Sequence, residues 1–195
     1  AQGIKTEYKG YVILDGEKYI VEPNSSYGYA DKNWGKDFTS PWLWISSSNI
    51  RSIKNKRKLN NTAIELGGGR PKILGVPINR RILAFINHEG EQIEFNFSKF
   101  WKYSRVEFDF NEVNGYAVWD VAAENRKYKI KLNLKCKLDE MLEINYEAPN
   151  GKKLHNHLLN GGTGVGTLQI YDKNNLLIDN LEFYNTGCEY GVYSN

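Results

Sequence analysis

Between Lys127 and Leu138 the chain alternates without a break. Tyr128, Ile130, Leu132, Leu134, Cys136 and Leu138 fall on one side, and Lys127, Lys129, Lys131, Asn133, Lys135 and Lys137 on the other. Successive side chains of an extended strand point to opposite faces, so strict period-two patterning over this length demands a strand with one buried and one wet face. A half-wet strand suits an antiparallel sheet, because the strands of a parallel sheet are buried on both faces. The lysine face reads as a solvated surface that resists aggregation rather than a binding stripe. No nucleic-acid recognition motif accompanies it, so no nucleic-acid partner is expected.

The same grammar recurs along the chain. Tyr8 to Leu14 and Lys18 to Glu22 flank Asp15-Gly16, a strong two-residue hairpin signal. Arg81 to Asn87 and Gln92 to Phe97 flank His88-Glu89-Gly90, and Arg105 to Phe110 and Tyr116 to Ala122 flank a loop with Asn114-Gly115. Leu142 to Tyr146, Thr167 to Tyr171 and Leu181 to Tyr184 complete the pattern. The spacing predicts about ten to twelve short strands in an all-β antiparallel barrel or strongly bent sandwich. Helix is expected to be scarce, with Ser98 to Lys102 as one candidate turn. The polar run from Ser46 to Asn61 reads as a long exposed loop or hairpin tip, its cations offering an anionic-ligand patch as a lesser alternative. No repeat, linker or second domain shows, so residues 1–195 are expected to form one domain.

Composition agrees. Thirteen Tyr, eight Phe and five Trp stand beside a single Met in 195 residues, which suits strands more than packed helices. A net charge of +3 shows no bias toward nucleic acid or a membrane surface. Apolar runs fall far short of the roughly 20 residues a spanning helix needs, so at most peripheral membrane contact is expected of a cytoplasmic protein. The start, Ala-Gln-Gly-Ile-Lys-Thr, lacks Met and an apolar signal core, and reads as trimmed, cleaved or expressed as a fragment. Cys136 and Cys188 are too few for a disulfide scaffold, and Cys136 on an apolar strand face reads as a buried free thiol.

Several chemical-looking segments resolve into bland ones. Gly161-Gly162-Thr163-Gly164-Val165-Gly166 precedes a strand-like stretch rather than a helix, so it is no dinucleotide cradle and reads as a flexible loop or a tight lead-in to a strand. His155-Asn156-His157 sets two imidazoles on one side of an extended chain, but with only His88 elsewhere a polar loop is the simpler reading. Neither a metal nor a cofactor is expected.

The segment from Tyr27 to Ser48 differs. Tyr27, Tyr29, Trp34, Phe38, Trp42 and Trp44 crowd around Asp31, Lys32, Asn33 and Asp37. If extended, Tyr27, Tyr29, Asp31 and Asn33 share one face, as do Trp42, Trp44 and Ser46 opposite Leu43 and Ile45. An aromatic wall beside one carboxyl suits proton-initiated alkene chemistry. An apolar pocket keeps a carboxyl protonated by disfavouring its charged form, and indole faces stabilise a developing cation. The alternative is ordinary core, with Asp31 pairing with Lys32 or capping a turn.

Tyr29-Ala30-Asp31-Lys32-Asn33-Trp34-Gly35, then Phe38 and Trp42-Leu43-Trp44-Ile45, resembles the signature of the tocopherol cyclase family. The resemblance runs from Tyr8 to Gly191 through Glu65 to Gly69, Ala123-Glu124-Asn125, Ala148-Pro149 and Cys188 to Gly191. Asp31 replaces the family's commoner Glu, Thr39 stands where Pro is usual, and family members are about twice as long. The resemblance implies a lipocalin-like (calycin) barrel forming the C-terminal half of a longer protein, whose N-terminal half would be its partner. It also implies protonation of a prenyl double bond and capture of the tertiary cation by a phenol oxygen, or by water in a hydratase of the related carotenoid kind. Asp31 is then the expected proton donor, oriented by Tyr29 and Asn33, with Trp34, Phe38, Trp42 and Trp44 lining the pocket. Glu65 and Glu124 are second-choice acids. Two other classes stay open, a non-catalytic carrier of hydrophobic ligands, which needs a cavity but no acid, and a carbohydrate-binding sandwich, which needs an exposed flat aromatic strip.

Overall fold

The computed structural model describes residues 3–31, 40–99, 103–144, 151 and 155–193. The chain divides into two compact units, Ala1–Trp34 and Gly35–Asn195. The first holds β1 (Gly3–Glu7), β2 (Gly10–Leu14), β3 (Glu17–Val21) and β4 (Tyr27–Ala30). β1 pairs with β4, and β2 with β3, both antiparallel. Asp15 and Gly16 turn the β2–β3 hairpin with φ of 51° and 82°, the left-handed pair that a two-residue hairpin needs.

The second unit begins with β5 (Trp42–Ser47), β6 (Ile50–Ser52), β7 (Arg57–Leu59) and β8 (Ala63–Gly69). β9 (Lys72–Ile73) and β10 (Val76–Pro77) form a small hairpin of their own. β11 (Arg81–His88), β12 (Glu91–Asn96), β13 (Ser104–Val113), β14 (Tyr116–Asn125) and β15 (Tyr128–Lys137) follow. A 3₁₀ turn at Leu138–Glu140, the one helical element among the described residues, leads to β16 (Leu142–Glu143), then to the long β17 (His155–Asp172) and β18 (Leu177–Tyr193).

Twelve strands make one antiparallel sheet whose main path runs β12-β11-β8-β5-β18-β17-β15-β14-β13. β16 adds to β17, and the β6–β7 hairpin adds to β18. The two ends of the path meet through side chains. Arg80 donates to the Phe108 carbonyl, Asn125 Nδ2 donates to the Glu94 carbonyl at 3.2 Å, and the Tyr128 hydroxyl donates to Glu91. The result is a nearly closed antiparallel barrel, as the alternation pattern predicts.

The alternation at β15 is realised residue by residue. Ile130, Leu132, Leu134 and Cys136 are buried, while Lys131, Asn133, Lys135 and Lys137 are exposed. Inside, Leu43, Ile45, Leu66, Phe95, Phe108, Leu132, Leu168 and Phe183 pack into one cluster around Trp119, which is fully buried. The Trp119 indole donates to the Glu189 carbonyl at 3.2 Å, so its single polar atom is satisfied. Phe110 meets the Trp119 ring edge-on at 5.2 Å and stacks on Tyr190 at 3.9 Å.

Polar groups buried at one end of the barrel are knotted together. Asp179, 2% exposed, accepts from the Ser52 hydroxyl at 2.6 Å and from the Asn180 N–H at 2.8 Å. Its other oxygen lies 3.4 Å from His88 Nε2. The Ser52 oxygen in turn accepts the Asn55 N–H at 2.9 Å. One carboxylate thus ties β18 to the β6–β7 hairpin and to the end of β11.

Two expectations need revision. The glycine run 161–166 is neither a loop nor a lead-in but the middle of β17, with register shifts on either side of Gly164. Close approach requires the glycine at 166, where a Cβ would sit 2.3 Å from the Asn133 carbonyl oxygen and 2.6 Å from the Phe183 ring. Of the two forms expected for Ser46 to Asn61, the hairpin is the one present: the stretch forms the end of β5 and the β6–β7 hairpin, and Lys54, Arg57 and Arg51 among its cations have partners within the chain. Lys54 donates to the Leu177 and Ile178 carbonyls at 3.2 and 2.9 Å, Arg57 pairs with Glu89 at 3.2 Å, and Arg51 lies 3.8 Å from Glu182. The polar loop expected at His155-Asn156-His157 is instead the start of β17, paired with β18, and His157 has Nε2 2.8 Å from Glu112 and Nδ1 3.5 Å from Glu143. The Ser98 to Lys102 turn is seen only as far as Lys99; Phe100, Trp101 and Lys102 lie outside the described residues.

Hydrogen bonding to Glu112, more than the charge of either carboxylate, raises the pKa of His157 against a smaller desolvation effect. A folded-state pKa above the unfolded value near 6.5 means stability that is fully present below that value and fades as pH rises through the folded pKa. His157→Gln should therefore lower the unfolding midpoint at pH 5.5 and leave it closer to wild type at pH 8.5, a small difference because the site is partly exposed. A gap that widened with rising pH would contradict this assignment.

Candidate functional site

Along β5 the residues facing the barrel interior are Leu43, Ile45 and Ser47, all buried, while Trp42, Trp44 and Ser46 face the other way and are half-buried. Register carries that second face onto both neighbouring strands. Ser46 is opposite Glu65 and Trp44 opposite Gly67 on β8, and Ser46, Trp44 and Trp42 are opposite Gly187, Glu189 and Gly191 on β18. The glycines make room for the indoles. A Cβ on Gly187 would meet the Trp44 ring at 2.8 Å, and one on Gly191 would meet Trp42 Nε1 at 2.7 Å.

Glu65 is 5% exposed, and the Trp44 indole N–H donates to its Oε1 at 2.5 Å. A second carboxylate, Glu189, is 7% exposed and accepts from Asn160 Nδ2. The face thus combines two half-buried indoles with two buried carboxyl groups, one on either side of β5. Buried carboxyl groups need such partners, since desolvating them without hydrogen bonds is costly. The arrangement can hold an apolar ring or chain against indole, and Glu65 stands where it can exchange a proton with what lies there.

The other expected site residues are distributed as follows. Tyr29 is half-buried on β4, and Asp31 directly follows that strand and is exposed. Asn33, Trp34 and Phe38 lie outside the described residues. Glu124 is exposed on β14, opposite Arg105 and Lys129 in the two neighbouring strands, among the charges of the solvent face. The structure therefore brings Trp42, Trp44 and Glu65 together and leaves Glu124 apart from them. Glu189 was missed by sequence reasoning, although the small-large rhythm Gly187, Glu189, Gly191 was a usable signal for a strand face laid under tryptophan.

Among the described residues no group of three or more His, Cys, Asp or Glu is placed to hold a metal ion. No helix among them is long and apolar enough to cross a membrane. A separate cleft of about 420 Å³ opens at the seam between β12 and β13–β15, lined by Glu94, Phe95, Lys99, Tyr103, Asn125 and Tyr128 among others.

Fold and face together define an antiparallel β-barrel protein with an acid-bearing aromatic patch on the strands β8, β5 and β18. The profile of the family described as Tocopherol cyclase-like matches residues 4–191, and the chain belongs to that family. No curated protein and no solved structure gives a significant match to the chain.

The glycines under the indoles offer a direct check. Gly187→Ala should cost about 1–3 kcal/mol as the methyl drives Trp44 off the strand, and should shift tryptophan emission. Unchanged stability together with unchanged emission would mean that Trp44 does not rest on Gly187.

Proposed function

We propose that the chain binds an apolar, prenylated small molecule against the Trp42–Trp44 face and catalyses acid-initiated ring closure on it. The observation that carries this reading is the Glu65 carboxyl, buried and clasped by the Trp44 indole, in a chain of the tocopherol cyclase-like family. A carboxylic acid gives its proton to the less substituted carbon of the prenyl double bond, leaving a tertiary cation beside indole. The phenol oxygen of the same molecule attacks that cation, the new C–O bond closes the ring, and the phenol proton returns to the carboxylate. Proton count and charge balance over one cycle, and no cofactor takes part.

Two carboxyls can serve as donor. Asp31, with Tyr29 and Asn33 orienting it, is the donor that the resemblance implies. Burial favours Glu65, because water competes less for a proton held beside an indole than for one at an exposed strand end. Incubation of wild type, Asp31→Asn and Glu65→Gln with a prenylated hydroquinone, read by chromatography of the ring-closed product, tests the assignment. Turnover that survives both substitutions would remove acid catalysis from the reading. Binding without product in the wild type would leave a carrier.

A further inference from the structure

We propose that Cys136, Cys188 and Met141 form a buried binding site for one soft monovalent metal ion of the Cu(I) class, built across the side-chain-free position at Gly161. The three residues come from separate elements, Cys136 from β15, Met141 from the end of the 3₁₀ turn, and Cys188 from β18. All converge on β17, where a Cβ on Gly161 would lie 3.0 Å from Cys136 Sγ, 3.1 Å from Met141 Cγ and 3.3 Å from Cys188 Sγ. Both thiols are free, and they are 2% and 0% exposed.

The spacing selects a metal bridge over a disulfide. β17 lies between β15 and β18 in the sheet. Neighbouring strands are about 4.8 Å apart, so the backbones carrying the two cysteines are roughly 10 Å apart. A disulfide needs Cα atoms closer than about 7 Å, and forming one would require the backbone to move. The thiols meet only because Gly161 places nothing between them, and a metal ion can span two sulfurs with the strands where they are. β17 also leaves its regular register between Gly161 and Gly164 and again between Gly164 and Gly166, the kind of local irregularity that re-aims side chains at barrel rims and sites.

The donor set is soft throughout, two thiols and a thioether, which selects Cu(I) over harder ions. Both cysteines release their protons to solvent as the two metal–thiolate bonds form, Met141 binds as a neutral thioether, and the loaded site carries one negative charge shared over the metal and its sulfurs. No electron is transferred. An access route exists on the Cys136 side. Exposed Thr163 has its Oγ1 3.5 Å from Cys136 Sγ and donates to Glu140 Oε2 at 2.7 Å, so one side chain and an anionic rim separate the sulfur from water.

The test uses the whole reduced chain under anaerobic conditions, titrated with Cu(I) against a chromophoric Cu(I) chelator, with native mass spectrometry for stoichiometry. One Cu(I) per folded chain and a thiolate-to-Cu(I) ultraviolet band are expected. Cys136→Ala and Cys188→Ala should each abolish the band. Met141→Leu, which keeps the apolar volume, should lower affinity by roughly ten- to a hundredfold, as loss of a supporting metal contact does. Circular dichroism of each variant separates loss of the site from loss of the fold, and Met141→Leu gives a second readout if a cysteine variant unfolds. Three results would overturn the proposal: no uptake by the folded wild type, equal uptake by the double cysteine variant, or ready oxidation of the folded protein by diamide to an internal Cys136–Cys188 disulfide.

Discussion

Replacing Asp179 by Ala is expected to lower the stability of the barrel by about 3–5 kcal/mol, the cost of removing one member of a buried polar pair. The carboxylate is nearly inaccessible and holds the Ser52 hydroxyl, the Asn180 N–H and the His88 ring at once. Deleting it leaves a hydroxyl and an imidazole N–H without their acceptor where water does not replace it. His88 can lean on nothing else, since its Nδ1 is buried and has no hydrogen-bond partner. For a domain of this size the midpoint of thermal unfolding should fall by roughly 6–20 °C. Ser52→Ala removes one hydrogen bond to the same carboxylate and should cost less, about 1.5–3 kcal/mol. Calorimetry or denaturant titration of both variants checks the order. An Asp179→Ala barrel as stable as wild type would show that the cluster is ornamental.

Glu65→Gln is expected to reduce turnover of a prenylated hydroquinone by about 10²- to 10⁴-fold while ligand binding persists. Gln keeps an oxygen to accept the Trp44 N–H and keeps the volume, so the packing of the indole survives. What it loses is the transferable proton. The distinction from a structural effect is therefore measurable, because a purely structural role predicts a lower unfolding midpoint with activity falling in step, whereas a proton donor predicts lost product with the midpoint held. If Asp31→Asn alone abolishes product and Glu65→Gln does not, the proton comes from the exposed residue after β4 and Glu65 is a scaffold for Trp44.

Much of the fold was legible because the signals are local. Lys127 to Leu138 shows its two faces in its own alternation, and Asp15-Gly16 and Asn114-Gly115 occupy the left-handed turns that their dipeptides announce. The run 161–166 was not legible, because glycine has no side chain to report a period and its reason for being there, the approach of Asn133 and Phe183 to Gly166, comes from other strands. The Ser46 to Asn61 stretch hid its strands similarly, since Ile50, Ser52 and Leu59 supply too few inward positions to stand out from the surrounding charge. At the site, the shared face of Trp42 and Trp44 followed from spacing on one strand. The bond from Trp44 to Glu65 depends on how β5 and β8 slide against each other, and the closeness of Glu189 depends on β18, contacts that join residues far apart in sequence.

Among the described residues the backbone ladder of the barrel ends at β12 on one side and β13 on the other, and Arg80, Asn125 and Tyr128 bridge the two ends with side-chain hydrogen bonds. The cylinder is thus buttoned, not woven, along one line. A woven wall fixes its girth through every residue of a strand, and altering it means altering the sheet. Here two of the three bridging side chains, Arg80 and Tyr128, reach across without holding a turn, whereas Asn125 also accepts the Lys127 and Tyr128 N–H groups where β14 turns into β15. Substitution at Arg80 or Tyr128 therefore acts on the fastening alone, and substitution at Asn125 acts on the hairpin as well.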